Sequence, residues 1–229
     1  MKLYIVLLVI AMVTVGCSGS QQLSPTPSPV TPTTESLNSN PTSAEDYFNR
    51  GLAYLDEGDY DRAIADYDQA IQLKPDYADA YYNRGLAYYH KGDYDRAIVD
   101  FDKAIQLKPD DAEAYTSRGN VYYRKGDYDR AIVDYDQAIQ LKPDYADAYY
   151  NRGNAYSYKG DYDRAIADYD KAIQLNPDDA VAYYNRGVAY MQKGVKDNAI
   201  TDFKKVLELS NEPNTRQLAQ DQLNKLGAK

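Results

Sequence analysis

The chain has 229 residues, a net charge of −9, and 26 tyrosines against three phenylalanines and no tryptophan. An acidic surface repels nucleic acid and anionic lipid headgroups, so neither is an expected direct partner. One cysteine leaves no internal disulfide, and one histidine leaves little imidazole chemistry.

The chain opens with Lys2 followed by an apolar run, residues 3–15, that ends at Gly16-Cys17. The run is shorter than the roughly 20 residues that span a bilayer, so residues 1–16 are expected to be a secretory signal peptide. Val15-Gly16-Cys17 resembles the bacterial lipobox, in which a cysteine after a small residue is lipidated and becomes the new N-terminus. That resemblance implies a lipid at Cys17, membrane attachment through it, and a place in the bacterial cell envelope. Residues 17–43 follow, with Pro25, Pro27, Pro29, Pro32 and Pro41, many Ser and Thr, and one charge, Glu35. Such a composition buries too little apolar surface to offset ordering and reads as a linker between anchor and domain.

From Ala44 a unit recurs with a fixed period. Gly51, Gly85, Gly119, Gly153 and Gly187 are 34 residues apart, as are Ala63, Ala97, Ala131, Ala165 and Ala199. Five units are delimited: 44–77, 78–111, 112–145, 146–179 and 180–213. Within each, large residues such as Tyr81 and Tyr88 recur at helical spacing around a glycine, and Ala97 and Ala104 supply a matching small surface further on. Gly92 is placed to end the first helix, Asp93 or Asp95 to cap the second, and Lys108-Pro109 to stop it. Two antiparallel helices per unit follow, and no unit covers its apolar face without a neighbour.

The small and large positions Tyr47, Gly51, Tyr54, Ala63, Tyr67, Ala70 and Pro75, repeated in the next three units and degenerate in the fifth, are similar to the tetratricopeptide repeat. The resemblance implies an all-α fold, a right-handed α-solenoid of helix-turn-helix repeats. Asn214, with Gln217 three residues on, is expected to start a C-terminal capping helix over residues 214–229, closed by Gly227.

One position departs from the family pattern. The residue before the repeat glycine, usually leucine, is here arginine in every unit, always with an aspartate 16 residues later: Arg50 and Asp66, Arg84 and Asp100, Arg118 and Asp134, Arg152 and Asp168, Arg186 and Asp202. Either an ion pair sets helix register, within a unit or between units, or the arginines form a ladder for a ligand. Residues 58–85 and 126–153 are identical except for Ala65 against Val133, so two units were copied as a block.

The resemblance also implies a concave groove lined by the first helices. The expected lining residues are Phe48, Tyr82, Asn83, Leu86, Tyr89, His90, Asn120, Tyr123, Arg124, Tyr150, Asn151, Asn154 and Tyr184. Rings flanked by amides suit a peptide, and Glu45, Asp79, Glu113 and Asp147 add an acidic edge that favours a basic or neutral one. The lysines of a carboxylate-binding clamp are missing, since aromatics stand where they would be. No catalytic residue, metal site or cofactor is expected: His90 has no partner for acid–base work, and strings such as Asp59-Tyr60-Asp61 and Asp66-Tyr67-Asp68 lack the pattern of a calcium loop and read as solvated helix faces. The functional expectation is a non-catalytic protein-interaction scaffold or adaptor, with a self-associating structural scaffold as the alternative.

Overall fold

A computed structural model describes residues 41–228; the signal segment, Cys17 and nearly all of the linker lie outside the described residues. Eleven helices and no strand are present among them. They are α1 (Ala44–Asp56), α2 (Tyr60–Leu73), α3 (Ala78–His90), α4 (Tyr94–Leu107), α5 (Ala112–Arg124), α6 (Tyr128–Leu141), α7 (Ala146–Tyr158), α8 (Tyr162–Leu175), α9 (Ala180–Lys193), α10 (Lys196–Leu209) and α11 (Pro213–Lys225). Each 34-residue unit holds one helix pair, and the second helix of a unit packs on the first helix of the next, giving the all-α solenoid. First helices of neighbouring units also touch each other, α1 with α3, α3 with α5, α5 with α7 and α7 with α9. The odd-numbered helices are therefore drawn together and form the inner wall.

Local signals explain the boundaries. Ser43, the last expected linker residue, caps α1 through a capping box with Asp46. The turns within units one to four rest on Gly58, Gly92, Gly126 and Gly160, all with φ near +80°, where a Cβ would be strained. Asp59, Asp93, Asp127 and Asp161 then cap the second helices by accepting from the backbone N–H three residues on. Their carboxylates also hold Arg62, Arg96, Arg130 and Arg164, whose guanidinium groups lie 4.3–4.5 Å from the ring centroids of Tyr54, Tyr88, Tyr122 and Tyr156. Unit five replaces that aspartate with Val195, and α10 begins without a side-chain cap.

Packing between the helices of a unit turns on the repeat glycine. A Cβ on Gly119 would stand 2.7 Å from Cε1 of Tyr135, and one on Gly51 would stand 2.6 Å from the same atom of Tyr67. The glycine is therefore a seat for the aromatic ring of the second helix, fully buried at Tyr67, Phe101, Tyr135, Tyr169 and Phe203.

The arginine before that glycine is internal to the scaffold. Arg118 donates from Nε and Nη2 to Asp134 at 2.9 and 2.6 Å, and from Nη1 to Asp102 of the preceding unit at 2.5 Å. Arg84, Arg152 and Arg186 repeat this three-point clip, with Asp68, Asp136 and Asp170 as second partners. So the ion pair joins the helices of one unit and also adjacent units. Burial alone would lower the pKa of Arg84, but its bonds to Asp100 and Asp68 outweigh that and raise it; desolvation pushes the Asp100 carboxyl up against the same bonds. Opposed terms of this kind make the pair a device for register more than for net stability.

The aspartate strings are corrected by these contacts. Asp59 is a cap, Asp66 is buried against Arg50, Asp68 holds Arg84, and Asp61 pairs with Lys91 of the next unit, so they are not merely solvated faces. Unit five has Lys204 at the position of Asp68, and no sixth repeat arginine follows. The capping helix also starts differently from expectation. Glu212, rather than Asn214, is the N-cap and accepts from the backbone of Asn214 and Thr215, while Pro213 takes the first turn, where its missing N–H costs nothing. Gln217 bonds forward to Asp221, so no capping box forms.

Candidate functional site: the inner wall of the array

Three rows of the first helices, three and two residues before the repeat glycine and one after it, are expected from the sequence to face a ligand. They instead form a seam between consecutive first helices. Phe48, Tyr82, Asn83, Leu86, Asn151, Asn154 and Tyr184 are all buried, Asn83 completely. Their polar atoms serve one another: the Tyr82 hydroxyl meets the Ser117 hydroxyl of the next unit at 3.2 Å, and Asn185 donates to the Tyr150 hydroxyl at 2.9 Å. At the end of the array Gln222 of α11 donates to the Tyr184 hydroxyl at 3.2 Å, supplying what a sixth unit would. Where the preceding unit has no tyrosine the seam is incomplete. Asn83 aligns with the Phe48 position, and its Oδ1 has no partner; Asn151 aligns with the Thr116 position, and its Nδ2 has none, the shorter Thr116 side chain being turned back to donate to the Ala112 carbonyl of its own helix. Helical periodicity placed these rows on the inner side; it could not show that helix spacing would close over them.

A second polar device links the seam to the core. Asn120 and Asn154 accept from the hydroxyls of Tyr135 and Tyr169 at 2.7 and 2.8 Å. In units two and five the residue after the glycine is Leu86 or Val188, and the ring is Phe101 or Phe203. Unit one mixes the two, with Leu52 beside Tyr67, and the buried Tyr67 hydroxyl has no partner. The match was visible in the sequence as an Asn–Tyr or apolar–Phe pairing 15 residues apart.

What remains accessible lies along two edges. Tyr150, in the first half of α7, is half-buried in the seam row, whereas toward the C-terminal ends of the first helices Tyr89, Asn120 and Tyr123 are half-buried and His90 and Arg124 are exposed. Here residues of one unit lie against the tyrosine that starts the preceding unit's second helix: His90 stacks on Tyr60 with centroids 5.3 Å apart, Tyr158 on Tyr128 at 5.2 Å, and Arg124 donates to the Tyr94 hydroxyl at 3.4 Å. Tyr123 is packed edge-on against both Tyr128 and Tyr158. Desolvation lowers the pKa of His90, which favours the neutral ring. The result is an aromatic edge whose outermost member changes from His90 to Arg124 to Tyr158 to Gln192 along the array.

The other edge, at the N-terminal ends of the first helices, is acidic but unevenly compensated. Lys74 lies 3.2 Å from Glu45, and Lys108 lies 2.6 Å from Asp79. Lys142 lies over the Tyr145 ring, 4.7 Å from its centroid, as Lys74 lies over Tyr77, but makes no ion pair, and the matching position of unit four is Asn176. No ion pair is found at Glu113 or Asp147, whose carboxyl groups are both raised, first by desolvation and then by neighbouring carboxylates, against the weaker opposing pull of Lys142. Among the described residues no group of three or more His, Cys, Asp or Glu is placed to hold a metal ion.

Family profiles described as TPR repeat match residues 119–160 and 153–194, and others described as tetratricopeptide repeat match 48–112, 101–133 and 180–212. A crystal structure of MamA is 35% identical over 69% of this chain and 92% of that one, with a TM-score of 0.65. The chain is a tetratricopeptide repeat protein. YrrB, described as a TPR protein with an unusual peptide-binding site, is 25% identical, with 83% of this chain and 97% of that one covered and a TM-score of 0.66. MamA from Desulfovibrio magneticus RS-1 is 27% identical over 72% and 94% of the two chains, at a TM-score of 0.68. No curated protein matches. These tetratricopeptide neighbours support a protein-interaction scaffold as the broad role of the array.

Proposed function

We propose that this tetratricopeptide protein is a non-catalytic adaptor of the bacterial cell envelope, held at a membrane through a lipid on Cys17 and the linker that follows. Its inner wall takes a peptide segment of a partner protein, basic or neutral in charge. The observation that carries the reading is the pairing of an aromatic edge with an acidic edge along the same row of first helices. Rings such as Tyr89 and Tyr123 offer apolar area, and Glu113 and Asp147 exclude acidic segments. The family profiles and the peptide-binding description of YrrB support a peptide as the ligand class. The envelope location rests on residues 1–43 of the sequence alone.

A photo-activated cross-linking residue placed singly at Tyr89, Tyr123, Val99 or Val133 of the full-length protein, expressed in a bacterial host, tests this. Val99 and Val133 are exposed on second helices, away from the inner wall. Adducts to one envelope protein from positions 89 and 123, and none from 99 and 133, are expected. Adducts only from the second helices, or only between copies of the chain, would overturn it, the latter in favour of a self-associating scaffold.

A further inference from the structure

The acidic edge is not uniform, and its departure from uniformity falls at one junction. Units one and two neutralise their carboxylates with Lys74 and Lys108. At the junction of α5 and α7 the carboxylates of Glu113 and Asp147 form no ion pair, Lys142 reaching both only at longer range, and Oε2 of Glu113 is enclosed with no hydrogen-bond donor. Asp111 and Asp179, which cap α5 and α9, add negative charge beside them. The position of Tyr82, Tyr150 and Tyr184 is occupied here by the smaller Thr116.

A second observation comes from the neighbouring turn of α7. Asn151 stands four residues after Asp147, hence on the same face, and its counterpart Asn185 reaches the preceding first helix. Asn151 is 7% exposed, and its Nδ2 has no acceptor. A buried amide donor left unmatched is unfavourable by about 1–3 kcal/mol, and turning it toward an incoming carbonyl gives up no hydrogen bond.

We propose that Glu113, Asp147 and Asn151 form a subsite for one basic residue of the bound peptide, a lysine or arginine whose cation lies between the two carboxylates and whose main-chain carbonyl takes the Asn151 amide. The subsite rests on the peptide-adaptor reading above and narrows it, because it sets where along the array the positive charge must fall. Packing encloses Oε2 of Glu113, so at least one of the two carboxylates is fixed before a cation arrives. Two residues that border the subsite depart from the repeat pattern of this chain: Thr116 stands where the other units have an aromatic ring, and Asn176 where units one to three have a lysine.

The test uses the full-length protein and a fluorescein-labelled Ala-Lys decapeptide, with the Ala-Gln decapeptide as a neutral control, read by fluorescence anisotropy at moderate ionic strength. Three variants are compared: Glu113→Gln with Asp147→Asn, Glu45→Gln with Asp79→Asn, and Tyr89→Ser with Tyr123→Ser. The first is expected to weaken lysine-peptide binding at least tenfold, the second by less than twofold, and the first should leave the neutral peptide unchanged. Equal losses in the first two variants would reduce the effect to general acidic charge and overturn the subsite. If only the aromatic-edge variant loses binding, the subsite fails and the peptide groove stands. If no variant alters binding of either peptide, the groove reading fails with it.

Discussion

The arginine–aspartate ladder and the inner seam run along the same helices and behave oppositely. In the ladder units two to five use the same atoms: Arg84, Arg118, Arg152 and Arg186 each clip a buried aspartate of their own unit and an exposed one of the unit before. In the seam the residue changes along the array, from Phe48 to Tyr82, Thr116, Tyr150 and Tyr184, and the tyrosines differ in partner, Ser117, Asn185 and Gln222 in turn. The ladder fixes the rise and rotation from unit to unit regardless of what the inner wall carries, which leaves the wall free to differ. A repeat protein needs that separation, because stability is a sum of like interfaces while recognition requires unlike ones.

Breaking the ladder is the largest perturbation available. Arg118→Ala leaves Asp134, 4% exposed, and Asp102 without their cation and should destabilise by about 3–5 kcal/mol, read from chemical denaturation. Arg118→Leu combined with Asp134→Leu should recover a large part of that loss, since no buried charge is then stranded. Equal behaviour of Arg118→Ala and a surface substitution would show that the ladder does not set register. A step smaller is Gly119→Ala, which forces the Tyr135 ring out of its seat and should destabilise by about 1–3 kcal/mol while leaving the ladder pairs formed.

The fold was legible because its determinants are periodic. Glycine, alanine, arginine and aspartate at fixed offsets specify two helices, their close approach and their order, and Asp93 as a cap follows from local chemistry alone. The inner wall was legible only as a row. Tyr82, Asn83 and Tyr184 lie on the side that periodicity assigns them, yet their burial depends on how near the next first helix comes, a distance set by the packing of all five units together. The second partner of each arginine was missed for a related reason. Asp68, Asp102, Asp136 and Asp170 each stand 16 residues before the arginine they hold, mirroring the 16 that separate each arginine from its own-unit aspartate, and the terminal Lys204 marks where that pattern stops. Glu113 and Asp147 were visible as acidic residues; for Asp147 the missing lysine is readable as Asn176, but for Glu113 the lack of an ion pair depends on the placement of Lys142, which the sequence does not give.

The finest comparison lies within the core, between two tyrosines in equivalent seats. Tyr135 donates to Asn120 and Tyr67 donates to nothing, although both rings are buried against a repeat glycine. Tyr135→Phe leaves the Asn120 oxygen without its donor and should destabilise by about 1–3 kcal/mol. Tyr67→Phe deletes a buried hydroxyl that has no partner and should be neutral or slightly stabilising, because desolvating that hydroxyl is uncompensated in the folded chain. The two substitutions remove the same atom, so their difference isolates the hydrogen bond from the ring packing that both retain. Leu52→Asn, which supplies Tyr67 with the acceptor that units three and four possess, should then reverse the sign of Tyr67→Phe when the two are combined in a double-mutant cycle. Equal effects of Tyr67→Phe and Tyr135→Phe on the denaturation midpoint would mean that the asparagine after the repeat glycine is not there to satisfy the tyrosine, and the matching of Asn120 with Tyr135 and Leu86 with Phe101 would lose its physical basis.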